Sequence, residues 1–299
     1  MVKNMNFEDE LLKRTKDVWE IVESFLPAVE GHQSTVLEAM DYSIRAGGKR
    51  LRPMLMRETY CLFGGMGKEI EPFMAAIEMI HTSSLIHDDL PCMDNDTLRR
   101  GLPTAWVKFG YDMAVLAGDG LLIYSMETAA KALDFSDRPD RVARAMGILA
   151  QKTGIFGMIG GQTVDVELAG KPIPGEKLDF IYRLKTGALL EASMMIGALL
   201  GGASEDELKA VEEMASKIGL AFQIQDDILD VTSNAEVLGK PVFSDEKNNK
   251  TTYVTLEGME QAKMAVERIS AEAVACLQKL PGENRFLEEL IRMLVNREK

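Results

Sequence analysis

The sequence predicts an all-α fold, and three observations carry that prediction. Apolar residues recur at spacings of three and four along most of the chain. Runs of alternating polar and apolar residues are absent; the best strand candidate, Thr251-Thr252-Tyr253-Val254-Thr255, is too short and isolated to build a sheet. The periodic segments are separated by turn clusters at Gly64-Gly65, 91–103, 134–139, 170–175 and 233–249, none of them a low-complexity linker. No repeat of solenoid period is visible. Residues 1–299 are therefore expected to form a single domain, a bundle of about ten helices.

Taken in order, helices are expected over 7–26, 34–46, 51–63, 69–88, 110–133, 140–168, 176–200, from 204 through 230, over 257–279 and around 287–295. The fourth carries Ile70, Phe73, Ile77 and Ile80 on one side. The apolar stretch from Gly187 to Ala203 is short for a membrane span and contains Glu191, which predicts a buried helix. Ser204 with Glu207 three residues on reads as a capping box, followed by a stripe of Leu208, Val211, Ala215, Ile218 and Phe222. Leu287, Leu290, Ile291, Leu294 and Val295 repeat that pattern. Many of the 19 methionines fall on apolar faces and are read as core filler.

Charge narrows the function. With 34 Lys and Arg against 47 Asp and Glu, the net charge is −13. An acidic chain suits neither nucleic acid nor an anionic membrane surface. An anionic ligand must then be held by a local basic cluster or through metal ions. Three scattered cysteines argue against a disulfide framework or zinc knuckle, and the first twenty residues lack an apolar h-region. A cytoplasmic protein without stable membrane insertion is expected.

Two acidic segments stand out. His87-Asp88-Asp89-Leu90-Pro91-Cys92-Met93-Asp94-Asn95-Asp96 closes an apolar helix, placing carboxylates at the negative end of its macrodipole. Pro91 must break the helix there, and the break can return Asp94 toward Asp88. Such a cluster makes sense if it binds cations, although alone it also reads as a solvated loop. The second segment is Phe222-Gln223-Ile224-Gln225-Asp226-Asp227-Ile228-Leu229-Asp230, in which Asp226 and Asp230 share a face one turn apart. Asp226 lies one turn beyond Phe222 of the stripe and is expected to look inward, where a carboxylate needs a partner or a metal. Oxygen-only donors select a hard cation such as Mg²⁺, which bridges carboxylates to substrate phosphates. Two acidic sites on different helices suggest a diphosphate held between them.

Basic groups are few and clustered. Gly47-Gly48-Lys49-Arg50-Leu51-Arg52 places Lys49 and Arg52 beside a flexible pair, and Arg99-Arg100 follows the first acidic loop. Lys185-Thr186, Gly239-Lys240 and Lys250-Thr251 add more. Singly each reads as a surface ion-pair partner; together they are enough for a second diphosphate held by side chains. His81 shares a helix face with Asp88, seven residues on. A di-iron bundle needs Glu-x-x-His on each of two helices, and the sequence holds the spacing once, at Glu78-Met79-Ile80-His81.

GGKRLRP, SLIHDDLPCMDNDTLRRG, GGQTVD, KTGALLEA, FQIQDDILD and LGKP, in this order from Gly47 to Pro241, resemble the trans-prenyl diphosphate synthase family. More narrowly, they resemble the bacterial and plastid farnesyl and geranylgeranyl diphosphate synthases. The resemblance implies helices around a central cavity, a homodimer, and Mg²⁺ as cofactor, three ions per site with Mn²⁺ as a substitute. It implies that Asp88, Asp94 and Asp226 hold the metal, with Asp89 and Asp230 in support. Arg99, Lys185, Lys240 and Lys250 would contact the allylic diphosphate, and Thr186 and Gln223 would face the developing allylic cation. Lys49, Arg52, His81 and Arg100 would bind isopentenyl diphosphate.

The implied chemistry is ionisation of the allylic diphosphate, attack by the isopentenyl double bond, and proton loss to the released diphosphate. In similar farnesyl synthases the residue five before the first aspartate is aromatic and closes the cavity. Here it is Ser83, followed by Ser84, too small to stop a C15 chain. Farnesyl and/or geranylgeranyl diphosphate is therefore the expected product, with C20 reached unless another bulky side chain such as Met113 closes the pocket. The chain departs from the family at Leu102, Trp106 and Thr97, where Lys, His and Asp are common, all flanking the isopentenyl side. An ionising terpene cyclase and a non-catalytic subunit of a heteromeric synthase remain alternatives. The first has no need of the Lys49, Arg52 and Arg100 set, and the second usually has eroded acidic motifs.

Overall fold

In the computed structural model of the protein, residues 6–232 and 251–295 are described, and helices make up nearly all of their regular structure. These residues group into two compact units, one built from the chain up to Arg57 and from Gly67 to Met146, the other from Glu58–Met66 and Gly147 onward.

The first unit contains α1 (Phe7–Ser24), α2 (Ser34–Arg45), the beginning of α3 (Leu51–Leu62), α4 (Glu71–Asp88), α5 (Ala105–Phe109), α6 (Tyr111–Ala130) and the beginning of α7 (Pro139–Thr153). Its centre is α4 packed along α6. Helix α4 accepts Pro72 because the first turn needs no N–H donor there. It then buries Phe73, Met74, Ile77, Met79 and Ile80 completely. Each such side chain is worth about 1.5–3 kcal/mol, so the core, more than helix propensity, fixes where Asp88 emerges. The helix is apolar nearly all round, beyond the one-sided stripe that its spacing suggests.

The second unit holds the rest of α3 and α7, α8 (Met158–Glu167), α9 (Gly175–Ile181), a π turn (Tyr182–Gly187), α10 (Ala188–Gly201), α11 (Glu205–Thr232), α12 (Tyr253–Glu257), α13 (Met259–Leu277) and α14 (Arg285–Val295). The capping box at Ser204 forms: its N–H donates to Glu207 Oε2 at 2.7 Å and its Oγ accepts the Glu207 N–H at 3.4 Å. Helix α11 runs between α10 and α13. Its Ala221, Ile224 and Ile228 join Ile181, Val266 and Ile269 in one core cluster. On α14, Leu287, Leu290, Ile291, Leu294 and Val295 are all buried, and Asn284 Oδ1 caps the helix through the Leu287 N–H at 2.9 Å.

Several elements differ from expectation. The helix expected over 140–168 is split between Thr153 and Met158, where Gly154 and Gly157, poor helix formers, bracket the break. The helix expected over 176–200 is one run, Gly175–Gly201, interrupted by the π turn; by length and composition it could cross a membrane, but 78% of its apolar window is buried, as in a core helix. Thr251–Thr255, dismissed as a strand by its length, opens a short helix instead: Thr252 Oγ1 accepts the Thr255 N–H at 3.2 Å and starts α12. A two-residue hairpin, β1 (Leu98–Arg99) against β2 (Leu102–Pro103), closes the first acidic loop.

Candidate active site

The first unit gathers a basic cluster. Arg50 adopts a left-handed backbone (φ 50°) that turns its side chain inward, where Nη1 donates to Glu78 Oε1 at 2.6 Å and Nη2 to the Ile44 carbonyl at 2.7 Å. Its guanidinium also stacks 4.6 Å from the Trp19 ring centre. Removing one partner of such a buried pair costs about 3–5 kcal/mol, so Arg50 is committed to the fold. Lys49 is exposed. Arg52 is different: its Nε is buried and meets no hydrogen-bond acceptor among the described residues. Burial, and secondarily the charge of Arg100, pushes its guanidinium down to about 10, with Glu78 opposing. Arg100 donates from Nη1 to the Gly47 carbonyl, tying the second basic motif to the Gly-Gly turn. Burial first, then the charges of Arg52, Arg100, Arg99 and Arg50, hold the His81 imidazole well below its usual range. His81 is therefore neutral at pH 7 and donates from one nitrogen only.

The first acidic motif follows directly. The Asp94 N–H donates to the Asp88 carbonyl at 2.9 Å, so the turn after α4 does bring Asp94 back to Asp88. Asp89 is buried and accepts both Nε and Nη2 of Arg99, at 2.7 and 2.6 Å. Burial raises the Asp89 carboxyl against the Arg99 charge, while the same pair raises Arg99 despite burial. The loop is held from outside by Thr104 Oγ1 and Trp106 Nε1, both donating to the Asp96 carbonyl at 2.8 Å. Trp106, a departure from the family pattern, thus anchors the acidic loop. Ser83 is buried, its hydroxyl donating to the Gly118 carbonyl of α6 at 2.8 Å, and Ser84 donates to the His81 carbonyl at 2.8 Å.

The second unit contains a cleft of about 130 Å³ lined by Asp165, Tyr182, Lys185, Thr186, Gln223 and Asp226, among others. The π turn sets Lys185 and Thr186 here; such bulges are frequent at functional sites. Lys185 Nζ lies 2.6 Å from Asp165 Oδ2, and Thr186 Oγ1 donates to Gln223 Oε1 at 2.8 Å. Two glycines permit the approach. A Cβ on Gly161 would stand 2.3 Å from the Lys185 nitrogen, and one on Gly219 would stand 2.8 Å from the Gly187 Cα. Asp226 is half-buried on the cleft wall, whereas Asp227 and Asp230 are the buried carboxylates. The expectation that Asp226 points into the core is corrected: the buried stripe runs through Ala221, Ile224 and Ile228, and carries Asp227 inward instead. Lys240, Lys250 and the LGKP motif lie outside the described residues.

Each unit gathers basic and acidic candidate residues, and similarity to known proteins decides the family. A sequence model of polyprenyl synthetase matches residues 33–289. The chain belongs to the polyprenyl synthetase family. Among relatives, it is 48% identical over 241 residues to the chloroplastic heterodimeric geranylgeranyl pyrophosphate synthase large subunit 1 of Arabidopsis thaliana, covering 79% of this chain and 65% of that protein. The chain thus spans just under two thirds of the plant protein's length. It is 44% identical to the farnesyl diphosphate synthase of Geobacillus stearothermophilus, covering 87% of each. The geranyltransferase of Helicobacter pylori, solved with magnesium and isoprenyl diphosphate, superimposes with a TM-score of 0.81 at 34% identity over 96% of each chain.

Sequence reasoning missed two of these pairings. Asp165, inside GGQTVD, is the ion-pair partner of Lys185; only a search for a carboxylate opposite Lys185 would have singled it out. The Arg50–Glu78 pair spans 28 residues of sequence, and nothing in Gly-Gly-Lys-Arg says which cation turns inward. Among the described residues, no three His, Cys, Asp or Glu side chains converge as a ready metal cage. The donor set still fits Mg²⁺, which takes one or two carboxylates and completes its shell with phosphate oxygens and water.

Proposed function

We propose that this chain condenses isopentenyl diphosphate with an allylic diphosphate in a Mg²⁺-dependent reaction and carries the product to C20. The reaction class follows from family membership: the chain is a short-chain prenyl diphosphate synthase, a prenyltransferase. The observation that carries the finer reading is the cleft that groups Lys185, the hydrogen-bonded Thr186–Gln223 pair and Asp226. It offers one cation for a diphosphate, two oxygen dipoles for a carbocation and one carboxylate for a metal.

Asp88, Asp94 and Asp226 would hold Mg²⁺, which when bound supplies Lewis-acid stabilisation of the departing diphosphate. Lys185 and Arg99 would each neutralise diphosphate in exchange for the carboxylate it now pairs with, Asp165 or Asp89. Because Thr186 spends its proton on Gln223, its oxygen lone pairs are left to face developing positive charge. Arg52, Arg100, Lys49 and neutral His81 would hold the second diphosphate. The unmet Nε of Arg52 supports this, since a buried donor without a partner costs about 1–3 kcal/mol until an anion arrives. His81 contributes a hydrogen bond without acting as a base, and the released diphosphate takes the proton from the condensing carbon. Apolar walls must exclude water from the cation. A terpene cyclase reading has no use for the Arg52 and Arg100 set. A homodimer belongs to the same proposal, favoured by Leu116 and Ile123, which α6 leaves exposed.

Product analysis with labelled isopentenyl diphosphate and each primer from C5 to C15 tests the reading. Label is expected in a C20 diphosphate, only with Mg²⁺ present. Hydrocarbon formed from an allylic diphosphate alone would replace synthase by cyclase, and no labelled product from any primer would remove the catalytic reading. Arg52→Ala is expected to raise the KM for isopentenyl diphosphate roughly ten- to a hundredfold, the range of a lost charged hydrogen bond. The KM for the primer should stay within about twofold. Equal effects on both substrates would contradict the two-site assignment.

A further inference from the structure

Asp227 is a buried carboxylate for which the proposed reaction has no use. One of its oxygens, Oδ2, accepts the Tyr182 hydroxyl at 2.5 Å and the Tyr253 N–H at 2.8 Å, and the Tyr253 N–H also lies 3.3 Å from the Tyr182 oxygen. Three separate stretches of chain meet at this point. Tyr182 opens the π turn, three residues before Lys185. Asp227 sits on α11, next to Asp226 and one turn beyond Gln223. Tyr253 begins α12, directly after Thr251 and Thr252, which line the cleft. Thr251 is fastened a second time, its Oγ1 accepting the buried Ile173 N–H at 3.1 Å.

We infer that Asp227 and Tyr182 are positioning residues, a buried latch that sets the spacing of the cleft's diphosphate-binding groups and fixes the 251–253 segment onto the second acidic motif. The inference rests on the reading of the cleft as the allylic diphosphate site. Its physical basis is geometric. Lys185 and Thr186 ride on the π turn, while Gln223 and Asp226 ride on α11, and the Thr186–Gln223 hydrogen bond joins the two above the latch. A π turn is a rare interruption of the α-helical hydrogen-bond ladder. Left alone it would allow Lys185 to drift relative to Asp226, and misplacement by about 1 Å can cost a hundredfold in rate. Asp227 also lines the cleft, yet with one oxygen already accepting two donors it is placed to hold protein groups together. It is therefore assigned no metal, unlike Asp226 beside it.

The test uses Asp227→Asn, Tyr182→Phe and the double variant of the full chain, with three readouts. Asp227→Asn should accelerate hydrogen exchange of the peptide covering 251–257 by about tenfold or more, because the Tyr253 amide loses its charged acceptor. It should weaken Mg²⁺-dependent binding of inorganic pyrophosphate about tenfold by calorimetry, and raise the KM for the allylic primer similarly. The KM for isopentenyl diphosphate should stay within about twofold, a split that general destabilisation would not produce. Tyr182→Phe should act in the same direction but less strongly. The double variant should be no worse than Asp227→Asn alone, since both changes break one unit. If Asp227→Asn fails to fold, Tyr182→Phe carries the same comparison. Unchanged pyrophosphate affinity with an unchanged ratio of KM values in a folded variant would overturn the latch, as would additive effects in the double variant. A wild-type chain that neither binds pyrophosphate with Mg²⁺ nor turns over any primer would instead overturn the diphosphate reading itself, and the latch's role with it.

Discussion

Asp88→Ala and Asp226→Ala are each expected to lower turnover about a thousandfold at saturating Mg²⁺. Losing about 4 kcal/mol of leaving-group stabilisation is three decades in rate. The expectation is specific to these two aspartates because of what their neighbours do. Asp89 spends its carboxylate on Arg99, and Asp227 spends one oxygen on Tyr182 and Tyr253. Asp88 and Asp226 are half-buried, one at the open end of α4 and the other on the cleft wall, where a cation can reach them. Asp227→Asn should therefore cost about one decade where Asp226→Ala costs three. Turnover measured across a Mg²⁺ titration checks both. Near-normal turnover of either alanine variant would remove the metal assignment, and equal losses at Asp226 and Asp227 would remove the distinction between ligand and latch.

That distinction marks where the sequence stops being legible. Helices with a strong stripe are readable to within a few residues, as in α11 with its cap at Ser204 or α14 with its five buried aliphatic side chains. The return of Asp94 to Asp88 is readable too, because Pro91 leaves the chain few alternatives. Which aspartate of Asp226-Asp227 faces the core is not. Adjacent helical residues differ by about 100°, and carrying the stripe on through Phe222 rather than through Ala221 is enough to choose the wrong one. The π turn is hidden for a similar reason: one extra residue in a helix leaves the apolar composition unchanged, so 176–200 reads as uninterrupted. The break at Gly154–Gly157 is masked by the apolar Ile155 and Phe156 between the glycines, both of them exposed. Long-range pairs such as Lys185–Asp165 and Arg50–Glu78 belong to tertiary structure, and no local spacing encodes them.

Product length gives the sharpest consequence of one small residue. The growing prenyl tail must extend away from Asp88 toward the start of α4, and Ser84 and Ser83 lie about 6 and 7.5 Å deeper at 1.5 Å per residue. Both hydroxyls are already satisfied by backbone carbonyls, Ser83 by Gly118 and Ser84 by His81. Neither serine therefore presents an unmet polar group to a hydrocarbon chain, and neither is large enough to stop one. Ser83 faces α6 at Gly118, a position without a side chain, against which the His87 ring packs one turn further along α4. Ser83→Tyr is expected to shift the main product from C20 to C15, because the ring fills the space that the last five carbons need. Forcing it into the seam should also cost about 1–3 kcal/mol of stability, which a melting curve would register separately from the product pattern. Chromatography of the dephosphorylated products, with farnesyl diphosphate as primer, decides the matter. A wild-type chain that refuses that primer and stops at C15 would place the floor of the cavity somewhere other than Ser83.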